Sequence, residues 1–369
     1  MTGTTGSSET PQPPRKPIKQ KMAASLKSFG SWVIGGAGGN GNGAGHPAPM
    51  GELFAKTDPA TDGEECLHDC ETCAVRYPRG FKIEEEDALY GEVKAWSTHL
   101  IVGTGKADWV RDVADEKGSV MEAVDKAGPP SNGKMKLSAS NMPTPHDTSD
   151  YSEPATVLLL PAFTLIDNVR PANVPTLITD IVSHAPTTAT PLHPTSSIPA
   201  SVGDLSTRRC PHNAVILMCS QGTRDARCGQ SAPLLRRELE RHLRPLGLYR
   251  DLHDERPGGV GIYFISHVGG HKYSANVMVY RRPNAFGQDD VAGGGGGQEE
   301  GEKEEEEEGG GEKGGRSGDV GAAQCIWLAR IKPEDCENLV RYTVLKGKVV
   351  KPESQLRGGF DRAKGLMSW

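Results

Sequence analysis

Residues 213–243 read "NAVILMCSQGTRDARCGQSAPLLRRELERHL", and the fold is decided there. The stretch opens on a continuous apolar run of strand length, which describes a buried strand. It then crosses a polar loop in which eight residues separate Cys219 from Cys228. Beyond the loop, Leu235, Leu239 and Leu243 recur four apart, the spacing of one helix face, with Ser231 as the cap and Pro233 in the first turn. Downstream come "VGIYFIS", "NVMVYR" and "CIWLARI", then a helix in "PEDCENLVRYTVLKG". The order is β, α, β, β, β, α. A strand, a crossover helix and a parallel strand followed by antiparallel returns is the small mixed sheet of thioredoxin type.

Working outward, the rest of the chain is less compact. It has 369 residues, of which 46 are Gly and 27 Pro, and only 36% are hydrophobic, so a large fraction packs no core. Residues 1–61 form a Gly, Pro and Ser-rich tail expected to be disordered. A first α/β block spans 62–185 and holds strand candidates in "THLIVGTG" and "ATVLLLPAF" and a helix candidate near 174–182, with a polar loop near 128–154. A linker at 186–206 leads to the second block, 207–369. That block carries a Gly and Glu-rich insertion at 287–321, too polar to fold and placed at a hairpin connection. The fold class expected is therefore α/β: a C-terminal thioredoxin-like domain with a small mixed sheet, a smaller α/β block before it, and long disordered segments.

Charge and hydropathy exclude several function classes. The formal charge of -6 gives no reason to expect nucleic acid as a partner. No apolar run is long enough to span a membrane, and the N-terminus lacks the apolar core of a secretory signal. The eight cysteines therefore belong in a reducing compartment, where metal binding or redox work is a better expectation than a disulfide framework. A cytoplasmic protein is expected. The alternative is mitochondrial, because "KQKMAASLKSFGSWVIGG" is basic, hydroxyl-rich and free of acids.

Candidate ligands converge at one sheet edge. Cys219 ends the first strand of the second block, Cys228 lies just before the helix, and His267 ends the next parallel strand. His271 comes after Val268, Gly269 and Gly270, a turn whose glycines let backbone approach a bulky centre. Arg224 and Arg227, between the cysteines, either stabilise added negative charge or are ordinary surface charge paired with Asp225. Two thiols and two imidazoles suit a zinc-stabilised interaction module, although structural zinc cysteines usually sit two to four residues apart. They also suit a 2Fe-2S cluster with two thiolates on one iron and two imidazoles on the other. A thiol oxidoreductase built on Cys219 or Cys228 is a third reading, disfavoured by the wide spacing.

The segments "CSQGTRDARCG", "SHVGGHKYSANVMVY" and "GLYRD", with "CLHDCETCAVRYP" and "VGTGKADW" upstream, closely resemble the sucrase/ferredoxin-like family over nearly all of the ordered chain. The resemblance implies a thioredoxin-like ferredoxin in which Cys219, Cys228, His267 and His271 hold a 2Fe-2S cluster that carries one electron. No separate acid, base or nucleophile constellation accompanies them, so electron transfer is expected rather than substrate chemistry. Two neutral imidazoles in place of two thiolates raise the reduction potential above that of all-cysteine plant-type clusters. The second ring nitrogens also provide a route for electron uptake to couple to proton uptake.

Three features stay open. Cys66, Cys70 and Cys73 have the spacing of radical-SAM ligands but lack the long βα repeat that such enzymes need; a zinc site with His68 or ordinary free thiols are the other readings. "VGTGK" at 102–106 lacks the rest of a phosphate loop. The terminal Met367, Ser368 and Trp369 resemble the aromatic-ended tail that recruits the cytosolic iron-sulfur targeting complex, a candidate partner; redox donor and acceptor proteins are not named by any motif.

Overall fold

A computed structural model of the chain describes residues 1–3, 47–192, 198–289 and 319–369. Its strands, in chain order, are β1 Thr98–Gly103, β2 Met135–Ser140, β3 Ala155–Leu160, β4 Thr164–Val169, β5 Ser201–Val202, β6 Leu205–Arg209 and β7 Ala214–Cys219. They continue with β8 Tyr249–Arg250, β9 Val260–Ile265, β10 Val277–Arg281, β11 Gln324–Leu328, β12 Leu356–Asp361 and β13 Leu366–Met367. All belong to one mixed sheet, mostly antiparallel, in the order β13-β12-β11-β10-β7-β9-β2-β1-β3-β4-β6-β5, with β8 beside β9.

The second block folds as its sequence predicts. β7 and β9 are parallel, joined by the helix Ala226–Leu243, and β10 returns antiparallel to β7 with β11 antiparallel to β10. Leu235, Leu239 and Leu243 are fully buried against Ile216, Ile262 and Val340, which is why the four-residue spacing marks a packed face. The helix starts earlier than predicted: Asp225 is its cap, accepting from the Arg227 N–H, and Ser231 lies inside it.

The first block repeats the plan. β1 and β2 are parallel and joined by the helix Val120–Ala127, β3 and β4 return antiparallel, and helical turns at 174–184 follow, as turns at 336–344 follow β11. The spatial orders β2-β1-β3-β4 and β9-β7-β10-β11 are the same, so the chain contains two thioredoxin-type units. Their edge strands β2 and β9 meet antiparallel at Ser140 and Ile265, making one sheet of both blocks. The Asn141 N–H donates to Phe264 O, the Phe264 N–H to Asn141 Oδ1, and the Ser266 N–H to Ala139 O.

Several expected boundaries move. The polar loop near 128–154 contains β2, an inner strand whose polar residues are satisfied: Ser138 Oγ lies 2.9 Å from His99 Nε2, and His99 Nδ1 lies 3.0 Å from the Tyr280 hydroxyl. The tail expected to be disordered through residue 61 is ordered from residue 47, where Leu53 and Phe54 enter the core of the second unit. Its remainder, 4–46, lies outside the described residues. Residues 64–91, assigned by sequence to the first block, also pack on the second unit: the Cys70 N–H donates to Glu334 O, Glu84 N–H to Lys272 O and Gly91 N–H to Arg357 O. The linker at 186–206 includes β5 and the start of β6.

The acidic insertion does connect an antiparallel pair, β10 and β11. Its described ends, 287–289 and 319–321, are tied down by the Arg281–Asp289 and Arg282–Asp319 ion pairs, and 290–318 lies outside the described residues. β12 escaped the sequence reading because "GGF" resembles a turn. At Gly359 a Cβ would stand 1.8 Å from Cys325 O, so glycine is what lets β12 lie against β11. Among the described residues, no helix is long and apolar enough to cross a membrane.

Candidate metal centre

Parallel pairing sets Cys219 beside Ile265, so the carboxyl ends of β7 and β9 lie side by side, as the sequence argument requires. Cys228 sits in the first turn of the Ala226–Leu243 helix, and both sulfurs are buried free thiols. The eight-residue spacing does not keep them apart: the loop folds back so that each thiol perturbs the other. Cys219 is raised well above the usual thiol range by its neighbour Cys228 and by burial, and Cys228 accepts from Ser274 Oγ at 3.9 Å.

The rings of His267 and His271 lie 5.2 Å apart between centroids. Both Nδ1 atoms are buried without a hydrogen-bond partner. Buried polar atoms are almost always paired, so these two nitrogens are free to act as ligand donors. Burial and then the charge of Arg224 push His267 down to about 4, keeping its ring neutral and its lone pair available. Gly270 is left-handed, with φ 67°, and starts the turn that carries His271.

The donors come as two adjacent pairs and do not converge on one point. Three ligand atoms within 4.8 Å of one another occur at Cys70, His242 and Glu337, whereas Cys219, Cys228, His267 and His271 form no such group among the described residues. A single tetrahedral ion needs four donors about 2.0–2.3 Å from its centre. Separated thiol and imidazole pairs suit a two-iron group better than zinc.

The structure pairs one of the two arginines and adds residues that the sequence did not flag. Arg227 is paired with Asp225 at 2.8 Å, and Asp225 Oδ2 also lies 3.8 Å from His271 Nε2. Arg224 donates only to Arg111 O, at 3.3 Å, among its described bonds. Arg357 donates from Nη1 to Gly269 O at 3.0 Å and to Asn276 Oδ1 at 2.8 Å, bracing the glycine turn from β12. Lys136, on β2, is pushed down to about 8 by burial and then by Arg357, with its amine 4.9 Å from the Trp327 ring. Arg357 lies in β12 just before its Gly-Gly pair and Lys136 within a polar loop candidate, so no local pattern marked either.

The first unit closes the site. Thr223 donates from N–H and Oγ1 to Asp108, Ser220 Oγ donates to Ala107 O, and Gln221 Nε2 donates to Val110 O at 2.5 Å. Gln221 Oε1 then accepts from the His267 N–H at 2.8 Å, so one amide ties the loop after β1 to a candidate ligand. The aromatic-ended terminus is packed in place: Met367 pairs with Phe360, Ser368 is fully buried, and the Trp369 ring lies 4.2 Å from Trp96.

Fold and site together define a mixed α/β protein of two thioredoxin-type units whose second unit carries a thiol and imidazole donor set. The family model described as Sucrase/ferredoxin-like matches residues 89–358, and the chain belongs to that family. It is 30% identical over 251 residues to actin patches distal protein 1 of Saccharomyces cerevisiae, covering 63% of this chain and 77% of that one. It is 26% identical over 140 residues to altered inheritance of mitochondria protein 32 of Clavispora lusitaniae, covering 38% of this chain and 33% of that one. The corresponding protein of Meyerozyma guilliermondii is 26% identical over 137 residues, 37% of this chain and 32% of its own length. No solved structure matches.

Proposed function

We propose that Cys219, Cys228, His267 and His271 hold a 2Fe-2S cluster and that the protein carries single electrons. The observation that supports this reading is the pair of orphaned, buried Nδ1 atoms on the turn that follows β9, the strand beside the one that ends in Cys219. Such a group, when bound, accepts one electron and returns it. The residues around the donors have definable parts. Arg224 and Arg357 offset negative charge, the latter while holding the Gly269–Gly270 turn. Asp225 keeps Arg227 paired and stands near His271, and Gln221 positions the His267 backbone. With all four donors engaged in holding the cluster, electron transfer remains the reading rather than catalysis.

A second reading, a redox dithiol at Cys219 and Cys228, gains from the mutual perturbation of the two thiols but leaves both imidazoles without a purpose. Anaerobic purification separates the readings: about two irons and two acid-labile sulfides per chain support the cluster. One zinc and no sulfide supports the zinc-stabilised module, and metal-free protein supports the dithiol. For location, a cytoplasmic site with recruitment through the Met367–Ser368–Trp369 tail is proposed, with the mitochondrion as the alternative. An internal fluorescent tag leaving both ends free tests it.

A further inference from the structure

Cys228 and His242 occupy opposite ends of the Ala226–Leu243 helix, fourteen residues and about 21 Å apart at 1.5 Å per residue. At the far end lies a second group of reactive side chains, unrelated to the cluster ligands. Cys70 and Cys73 enclose Glu71 and Thr72 in a Cys-x-x-Cys turn, with the Cys73 thiol directed at the Cys70 carbonyl. The Arg241 guanidinium approaches Cys70 Sγ at 3.3 Å. His242 Nε2 stands 4.0 Å from the same sulfur. Arg241 is itself anchored at 2.8 Å to Glu238, a fully buried carboxylate that also accepts the Ala74 and Val75 N–H groups. A cleft of about 500 Å³ opens onto both sulfurs, with Arg76, Phe81, Lys332 and Glu334 on its walls.

We infer that Cys70 and Cys73 form a redox-active dithiol that exchanges with peptide disulfides of the glutathione type, Cys70 attacking and Cys73 resolving. Disulfide exchange is carried by thiolates, and a cation beside a sulfur favours that form. The carboxyl end of the helix opposes negative charge here, and the guanidinium held by Glu238 offsets it. Burial and the adjacent Cys70 sulfur raise Cys73, which keeps it the protonated partner at the start. Its thiol donates to Cys70 O and Pro333 O, each at 3.4 Å.

The chemistry balances. Cys70 attacks one sulfur of the disulfide, and one thiol leaves with the Cys70 proton. Cys73 then attacks the Cys70 sulfur, and the second thiol leaves with the Cys73 proton. The protein dithiol is oxidised to a disulfide, and the peptide disulfide is reduced to two thiols. The same neighbourhood includes the Cys70, His242 and Glu337 group that a zinc ion would need. However, Arg241 Nη2 already lies 3.1 Å from His242 Nε2, and Arg341 is paired with Glu337 at 2.8 Å, so two guanidinium groups occupy what a cation would bind.

The full chain should be equilibrated in glutathione buffers of falling reduced-to-oxidised ratio, quenched in acid, alkylated and read by peptide mass spectrometry. Cys70 and Cys73 should lose alkylation together and gain a bridge within their own peptide, with Cys66 remaining alkylated. Cys73→Ser should accumulate about one glutathione on Cys70, at least tenfold more than the parent. Arg241→Gln should slow that addition about tenfold. Full alkylation of both thiols in the most oxidised buffer overturns the inference. So does equimolar zinc that must be chelated before Cys70 will alkylate. The readout is the Cys70–Cys73 peptide, so it stands apart from iron and sulfide content at Cys219 and Cys228.

Discussion

Gly269 and Gly270 both have positive φ, 93° and 67°, but face different surroundings. A Cβ on Gly269 meets nothing within 4 Å, whereas one on Gly270 would stand 2.8 Å from Cζ, Nη1 and Nη2 of Arg357. Gly269→Ala therefore costs the conformational penalty alone, about 1–2 kcal/mol. Gly270→Ala costs the same plus the displacement of a guanidinium bonded to Gly269 O and Asn276 Oδ1. Hydrogen bonds to charged groups contribute about 1.5–3 kcal/mol each, and a flexible side chain retains part of that, so Gly270→Ala should exceed Gly269→Ala by about 2–3 kcal/mol. Urea unfolding of each full-length variant, with iron and sulfide assayed alongside, measures the difference. In an Arg357→Leu background the extra cost should fall below about 0.5 kcal/mol, because the wall has gone. Equal costs in the parent, or a difference that survives without Arg357, would refute the idea that this arginine braces the turn before His271.

Three further outcomes are expected. His99 is fully buried between Tyr280 and Ser138, and burial followed by the Lys136 charge lowers it well below its ordinary 6.5, so the folded protein holds it neutral. A lowered imidazole adds nothing above the unfolded value and loses stability below it: unfolding free energy should fall by about 1.4 kcal/mol per pH unit beneath pH 6.5 on this account, and a His99→Gln variant should show a flatter acid limb in denaturant titrations. Deleting Trp369 removes a ring stacked on Trp96, so the variant should unfold about 2–4 °C lower in calorimetry, while Trp369→Phe restores most of that. If the tail also recruits the targeting complex, the deletion lowers iron content in cells yet leaves chemical reconstitution intact; unchanged cellular iron content removes that partner. His267→Cys should keep a cluster and shift its midpoint potential negative in a redox titration, since an anionic thiolate replaces a neutral ring; an unchanged potential places His267 outside the ligand set.

The helix Ala226–Leu243 and its flanking strands were legible because their signals are local: an apolar run for β7, leucines every four residues, a second run for β9. The positions of Cys219, Cys228, His267 and His271 at the ends of those elements were legible for the same reason. Other parts were masked by residues whose roles lie far away in the chain. The serines of β2 look like loop until His99 and the antiparallel β9 edge satisfy them, and the glycines of β12 look like a turn until Cys325 O is seen where a side chain would be.

Composition and periodicity alone thus determined the β7-to-β11 core of the second unit and the place of the acidic insertion, since each depends on neighbours within one element or one turn. Tertiary structure decided that the first block repeats the same unit and shares its sheet, that residues 47–91 pack on the second unit, and that Lys136 and Arg357 stand near the donors. It also brought Cys219 and Cys228 close enough across their loop for each thiol to perturb the other. Those meetings join side chains whose backbones are distant in sequence or separated by a folded loop, and packing, unlike period, leaves no trace in the order of residues.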